Sequence, residues 1–375
     1  GQRRALAEES GRVVREDGEA PAAGTVTRSL AAEYRVPYLA HAALEPMNAV
    51  ASVTAAGAEV WAGNQAPDVL KSLVARLLEI APQQVRVHST YIGGAFGRRT
   101  YMEFALEAVA LSRELGVPVK VIWSREDDTR HDHYRPAAMA SMRADIGADG
   151  SLLGWDARVV APPVMTTMVG VVLPVMLPQW APLGVGSVIE PLVAKYDPNL
   201  TEGVDSIPYA MPYVRVEGLV SDPGIPVGVW RSVGHSQNAF FSESFVDEVA
   251  HALGQDPVRF RLERLPADSR VRGALELLVA RGGWGSAPPG VYQGIAVHES
   301  FGTVVAEQVD VALENGAPVV RRVVCAVDCG VVVNPDVVRM QLESAVVFAL
   351  SAALHGEITI RDGAVVQGNF DDYPL

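Results

Sequence analysis

The chain has 375 residues, 49% of them hydrophobic and 20% charged, with a formal net charge of −13. At roughly 100–200 residues per domain, that length holds two or three domains with full cores, and the composition excludes a disordered chain. The acidic balance, with no block of lysine or arginine, argues against nucleic acid or an anionic membrane surface as the main partner.

Residues 1–35 are polar and rich in Ala and Glu, and we expect a ragged helix followed by a linker. Gly1-Gln2-Arg3-Arg4 has neither an initiator Met nor an apolar core, so no signal peptide is read there and the chain is expected to be a processed or truncated piece. Ala51–Trp61 alternates like a strand with a turn at Gly57. Pro67–Ile80 places Val69, Leu70, Leu73, Val74, Leu77 and Leu78 on one helical face. Val85–Ser89 reads as a strand, Tyr101–Leu115 as a helix and Val117–Trp123 as a strand, which makes a β-α-β unit. Met139–Ile146 and Leu152–Val160 read as a hairpin about Ala148-Asp149-Gly150.

From Val159 to Ile189 the chain carries no charge, but five prolines interrupt the run, so we expect no membrane-spanning helix there. A buried irregular segment, a channel wall or a subunit contact fits better. Tyr213–Val220 and Val227–Trp230 read as strands, and Ser236 is a candidate cap for a helix to about Ala252, with Phe240, Phe241, Phe245, Val249 and Ala250 inward. Asp256–Arg264 and Arg272–Arg281 are short helices, and Ile295–Val311 and Val319–Val327 are strands. Pro335 suits the first turn of a helix to Leu354. Glu357–Ile360 and Ala364–Gln367 form a hairpin about Asp362-Gly363. The expected fold class is α+β, mixed sheets with packed helices, in two halves, 1–222 and 223–375.

Three segments carry candidate chemistry. Tyr91-Ile92-Gly93-Gly94-Ala95-Phe96-Gly97-Arg98-Arg99 lies at the strand-to-helix turn of the β-α-β unit, where α/β folds usually bind ligands. Glycines let backbone N–H groups approach an anion, and the two arginines can offer bidentate hydrogen bonds to phosphate. Trp61-Ala62-Gly63-Asn64-Gln65-Ala66-Pro67 ends a strand with two amides: Gln65 aims its amide at a ligand, or Asn64 caps the next helix and Gln65 lies on the surface. Gly228-Val229-Trp230-Arg231-Ser232-Val233-Gly234-His235-Ser236 puts Arg231 between a strand and a helix, where it binds an anion or carbonyl or forms a structural salt bridge.

Together these segments resemble the molybdenum-binding subunit of the xanthine oxidase family of molybdenum hydroxylases, and more narrowly the isoquinoline 1-oxidoreductase large subunit and the molybdopterin-dependent aldehyde dehydrogenases. Pro37–Asn48, Val297–Gly302, Val324–Gly330 and Asn369–Tyr373 are similar to that group too, so the resemblance runs from about residue 30 to the end. It implies a molybdenum held by a molybdopterin, as the cytosine dinucleotide, and a reaction in which water supplies oxygen to a heteroaromatic ring or an aldehyde. It also implies a separate small iron–sulfur subunit as electron acceptor, a small aromatic or aldehyde substrate, and a periplasmic location. By position, Gln65 matches the glutamine that hydrogen-bonds an oxo ligand of molybdenum, Phe96 and Gly97 match the glycine loop beside the metal, Gly94 and Ala95 extend that loop, and Arg231 matches the arginine near substrate and metal.

Two departures accompany the match. The family's Gly-Val-Gly-Glu motif, which carries the general-base glutamate, and its Met-Gly-Gln-Gly cofactor motif do not occur in this sequence. The position of the glutamate used by purine-type enzymes falls on Thr100, which speaks against a purine substrate. The chain alone is therefore expected to be inactive, and the competing reading is a cofactor-free homologue that serves as a binding or scaffold protein.

The remaining candidates read as structural. Two cysteines, Cys325 and Cys329, exclude a disulfide framework and a cluster held by four cysteines of this chain, and core filling explains them better than a redox pair. His131-Asp132-His133 has metal-binding residue types in what reads as a solvated loop, and Glu243, Asp247 and His251 read as an exposed helix face. No G-x-S-x-G or dinucleotide-binding G-x-G-x-x-G motif is present.

Overall fold

The computed structural model describes residues 10–177, 197–221 and 223–375. Of the segment 1–35 expected as a ragged helix and a linker, residues 1–9 lie outside the described residues, and the rest forms β1 (Arg12–Gly18) and β2 (Val26–Val36) instead. In β2, Leu30, Ala32, Tyr34 and Val36 face the core while Ser29, Ala31, Glu33 and Arg35 face outward. That is the period of two a half-buried strand requires.

β3 (Asn48–Thr54) and β4 (Gly57–Ala62) form the expected hairpin, followed by α1 (Pro67–Leu78), β5 (Val85–Ser89), α2 (Glu103–Leu115) and β6 (Val119–Ile122). The sheet order is β5-β4-β3-β6, with β4 and β5 parallel and the other pairs antiparallel. The strands of the β-α-β unit, β5 and β6, are thus separated by β4 and β3. α2 buries Phe104, Ala105, Ala108, Val109 and Ser112, spaced to share one face, against this sheet and α1. Full burial of Phe104 contributes on the order of 2–3 kcal/mol. Ser112 fastens the helix end, accepting from Val53 N and donating to Val117 O, and Gly116 ends it in the left-handed region.

Next come α3 (Arg125–Arg130), the expected hairpin β7 (Ala138–Gly147) and β8 (Leu152–Ala161), α4 (Met165–Met176) and β9 (Tyr213–Val220). They complete a second sheet in the order β1-β9-β8-β7-β2, antiparallel except for β8 and β9. The described part of the uncharged run, residues 159–177, holds the end of β8 and the 12-residue α4, and residues 178–189 lie outside the described residues. Val227–Trp230 is loop, with one isolated bridge from Val227 to Tyr134.

α5 (His235–Ala252) begins two residues earlier than expected; its N-cap is Gly234, with no side-chain cap from Ser236, and Phe240 is half exposed. α6 (Pro257–Arg264), capped by Asp256, and α7 (Arg270–Gly282) follow. Ile295–Val311 is not one strand: Phe301-Gly302 turns the chain between β10 (Val291–Ser300) and β11 (Thr303–Glu314), which pair with β12 (Ala317–Asp328). α8 (Pro335–Leu354), capped by Asn334, and a short hairpin of β13 (Ile360–Arg361) and β14 (Ala364–Val365) end the chain. The largest core joins the β7–β8–β9 face to α5, α6, α7 and the β10–β12 sheet, so it draws on residues from both sides of residue 222. Among the described residues α8 is the one helix long and apolar enough to cross a membrane by length and composition.

Candidate functional site

The glycine loop links β5 to α2 through a tightly folded backbone. Gly94, Phe96 and Gly97 all have positive φ, +103°, +56° and +112°. Gly97 has a second constraint: a Cβ there would stand 1.8 Å from Val229 O. Only glycine permits that approach, and it brings the 93–97 segment against a segment 130 residues away.

The two arginines do not face a ligand, contrary to the expectation that they offer bidentate bonds to phosphate. Arg98 is buried against Glu103 and Asp132. Arg99 is buried too, with Nη2 2.9 Å from Glu45 Oε2 and donating to the carbonyls of Gly94, Gly63 and Glu45. Guanidinium groups with five donors suit this work, because the irregular backbone leaves many carbonyls to satisfy. The arginines hold the loop's shape from behind.

Gln65 lies beside the loop. Its Oε1 accepts from Gly97 N at 3.2 Å and its backbone N donates to Arg99 O at 3.0 Å. That orientation leaves its amide NH2 as a donor with no protein acceptor among the described residues. Asn64 does not cap α1; it closes the preceding turn, accepting from Ala66 N and donating to Ala62 O.

Arg231 comes from the opposite side. It donates to Ser344 Oγ at 3.2 Å, and to Gln341 O and Oε1 at 3.1 and 3.2 Å. Burial lowers its pKa from the usual guanidinium value, and no carboxylate offsets that charge among the described residues. A half-buried cation satisfied by neutral oxygens alone favours an anion nearby. The alternative of a structural salt bridge is not what forms.

Gln65, Ala95, Phe96, Gly97 and Arg231 line a single cleft of about 520 Å³, with Thr100 at its edge. Gly94 sits behind that wall, its carbonyl taken by Arg99 Nε. A larger hollow of about 940 Å³ opens elsewhere, beside α2, α3 and the β13–β14 hairpin, and contains none of the six predicted site residues. Both walls of the smaller cleft carry strained backbone: Phe96 on one, and Ser232 (φ +67°) and Val233 (φ +50°) on the other. Such conformations cost on the order of 1–3 kcal/mol each and persist only where the surroundings dictate them.

The third wall is α8, for which the sequence suggests no role. Gln341, Ser344 and Phe348 follow one another at helical i, i+3, i+7 spacing; the first two line the cleft and Phe348 packs on the ring of Phe96. Phe348 is stacked between Phe96 and Trp230, with ring centroids 4.3 and 4.5 Å away. Nothing local marks these positions among the other polar residues of the helix, Asp336, Arg339, Glu343 and Ser351, and the partner of Gln341 is 110 residues distant.

The other candidates are structural. Asp132 is buried against His41, while His131 bonds to Asp127 O and His133 stacks on Tyr101. Glu243 and Asp247 do not form an exposed face: both bind the buried Arg261, and Glu243 also accepts from Tyr209 and Val297 N. Cys325 donates to Glu307, and burial pushes its thiol up to about 12, which makes it inert.

Two family models, each described as a molybdopterin cofactor-binding domain, match residues 6–174 and 278–375. The beta subunit of isoquinoline 1-oxidoreductase from Brevundimonas diminuta is 31% identical over 341 residues, covering 89% of this chain and 42% of the relative. A nicotinate dehydrogenase subunit from Pseudomonas putida is 27% identical, covering 93% of this chain and 30% of the relative. The membrane-bound aldehyde dehydrogenase of Gluconacetobacter polyoxogenes is 28% identical, covering 96% and 48%. The chain thus spans less than half the length of each of these relatives. Among solved structures, quinoline 2-oxidoreductase from Pseudomonas putida 86 superposes with a TM-score of 0.71 at 15% identity, covering 98% of this chain and 70% of that one. The Cu,Mo-CO dehydrogenase also gives 0.71, at 13% identity, covering 97% and 70%. The fold is that of molybdenum-cofactor-binding domains, and the chain belongs to the molybdopterin-binding subunits of the xanthine oxidase family.

Proposed function

We propose that this chain supplies part of the cofactor cradle of a molybdopterin-dependent oxidoreductase. That enzyme hydroxylates a heteroaromatic ring or oxidises an aldehyde, with water as the oxygen source. The observation that carries this reading is the convergence of Gln65, Ala95–Gly97 and Arg231 on one cleft, with Arg231 unmatched by any carboxylate among the described residues. The donor set fits an anionic, oxygen-rich group: an amide donor from Gln65, closely packed backbone at 95–97 and the guanidinium of Arg231. The cofactor, when bound, supplies a two-electron redox centre. Gln65 and Arg231 would hold and orient it from opposite walls, and donors fixed where negative charge develops stabilise a transition state. The stacked rings of Phe96, Phe348 and Trp230 would exclude water from one side of the cleft.

The cytosine dinucleotide form of the cofactor, a small iron–sulfur subunit as electron acceptor, and a division into halves at residue 222 belong to the same proposal. The relatives named for isoquinoline, nicotinate and aldehyde substrates support the substrate classes. Steady-state assays of the protein in its native assembly, with a dye as electron acceptor, test it. Turnover of N-heteroaromatics or aldehydes, with label from ¹⁸O-water in the product, is the expected result. A loaded assembly that turns over neither class contradicts it.

A further inference from the structure

The two walls of the cleft are joined from behind by one buried histidine. His41 lies between β2 and β3 with 1% of its surface exposed. Its Nδ1 is 2.8 Å from Asp132 Oδ1 and 3.1 Å from Oδ2, and its Nε2 is 3.0 Å from Val229 O. Both neighbours are acceptors. A backbone carbonyl has no proton to give, and Asp132, 3.1 Å from the Arg98 guanidinium and accepting from two backbone N–H groups, is a carboxylate. A neutral imidazole has one N–H and one lone pair, so in either tautomer a lone pair would face an oxygen in a dry interior. Only a ring protonated on both nitrogens satisfies both contacts.

The surroundings accommodate that charge. Asp132 also accepts from the backbone N–H of His41 at 2.6 Å and of His133 at 2.7 Å. The other titratable groups facing the pair are Arg98 from the glycine loop, Glu103 from α2, Asp128 from α3, and the phenols of Tyr101, Tyr134 and, from the C-terminal segment, Tyr373. Tyr101 matters directly, because its hydroxyl accepts from Val229 N at 3.0 Å. Both polar groups of the Val229 backbone are therefore fixed, one by Tyr101 and one by His41. Gly97 presses against the same carbonyl, and a Cβ on it would also come within 3.1 Å of His41 Nε2.

We propose that His41 donates from both ring nitrogens, to Asp132 and to the Val229 carbonyl, and is a positioning residue. It fixes the Val229 carbonyl and, through it, the distance of Trp230 and Arg231 from Phe96 and Gly97. It lines no part of the cleft. The positioning role rests on the cleft being the functional site; the protonation state does not, so the two fail separately.

The test is long-range ¹H–¹⁵N NMR of the ¹⁵N-histidine-labelled protein at pH 8, which reads each ring's protonation without any cofactor. Of the eight histidines, one is expected to keep both nitrogens protonated, and its signals vanish in His41→Gln. In Asp132→Asn the side-chain amide can donate to Nδ1, so the same ring is expected to become singly protonated. Hydrogen–deuterium exchange then reads the positioning. In His41→Gln, peptides covering 96–101 and 228–234 are expected to exchange about tenfold faster or more, the loss of one charge-assisted bond, while 70–78 and 104–112 are unchanged. No doubly protonated ring at pH 8, or acceleration spread equally over the 70–78 and 104–112 peptides, overturns the proposal.

Discussion

Single residues set the cleft by what they cannot tolerate. Gly97 is held in a left-handed conformation with no room for a methyl group beside Val229 O. Gly97→Ala should therefore cost more than about 1 kcal/mol in urea unfolding, and should separate the two walls as well. Arg231 is the opposite case. Its neighbours are neutral oxygens, so Arg231→Leu should leave stability within about 1 kcal/mol of wild type while weakening anion binding in the cleft. Arg98 and Arg99 show how residue type misleads when position is unknown. Arginine beside glycine suggests a phosphate cradle, yet the same donors satisfy the carbonyls of the bent loop. What distinguishes the two uses is burial against Asp132 and Glu45, which lie at 132 and 45 in the chain and leave no local signature.

At the scale of elements, α5 and α6 are locked by Arg261, which is buried against Glu243 and Asp247 with Tyr209 bonded to Glu243. Removing one partner leaves buried charge unmatched, so Arg261→Met should destabilise the protein by about 3–5 kcal/mol, read by thermal or urea unfolding. The loop after α3 provides a pH test. The Asp132 carboxyl lies at about 2 in the folded protein, below its ordinary 3.8. The unfolded chain binds the proton first, so this stabilisation is complete above pH 3.8 and disappears as pH falls through 2. It amounts to about 2 kcal/mol, at about 1.4 kcal/mol per pH unit. Asp128 acts in reverse: burial and Asp132 push it up to about 6, so stability is lost as pH rises from 3.8 to 6. Unfolding of Asp132→Asn should lack the acid limb, and unfolding of Asp128→Asn should lack the loss between pH 4 and 6. Elements with a strong period were legible, including α1, α2 and the β7–β8 hairpin. β2 was not, because an Ala-rich, charged strand shows the same composition as a surface helix and only its alternation tells them apart. The β10–β11 turn was hidden because Phe301-Gly302 separates two strands of mixed apolar and polar residues by only two residues.

Across the whole molecule, the three segments singled out in the sequence meet where the fold brings β5–α2, β4–α1 and the loop before α5 together. Motif resemblance grouped them in advance, and the structure brings Gln65, Phe96 and Arg231 to one cleft, since nothing in local periodicity relates residue 65 to residue 231. The contribution of α8 was not, because its contacts with Arg231 and with the Phe96 and Trp230 rings arise only from long-range packing. The central claim, that this cleft holds the molybdenum cofactor, is tested most directly by assaying molybdenum and pterin per chain. The protein should be purified in its native assembly from cells that make the cofactor, alongside Arg231→Leu. Stoichiometric molybdenum and pterin are expected in the wild type, and a marked loss of both in the variant, with the unfolding midpoints of the two cofactor-free proteins the same. Neither group in the wild-type assembly, or equal content in the variant, would contradict the claim.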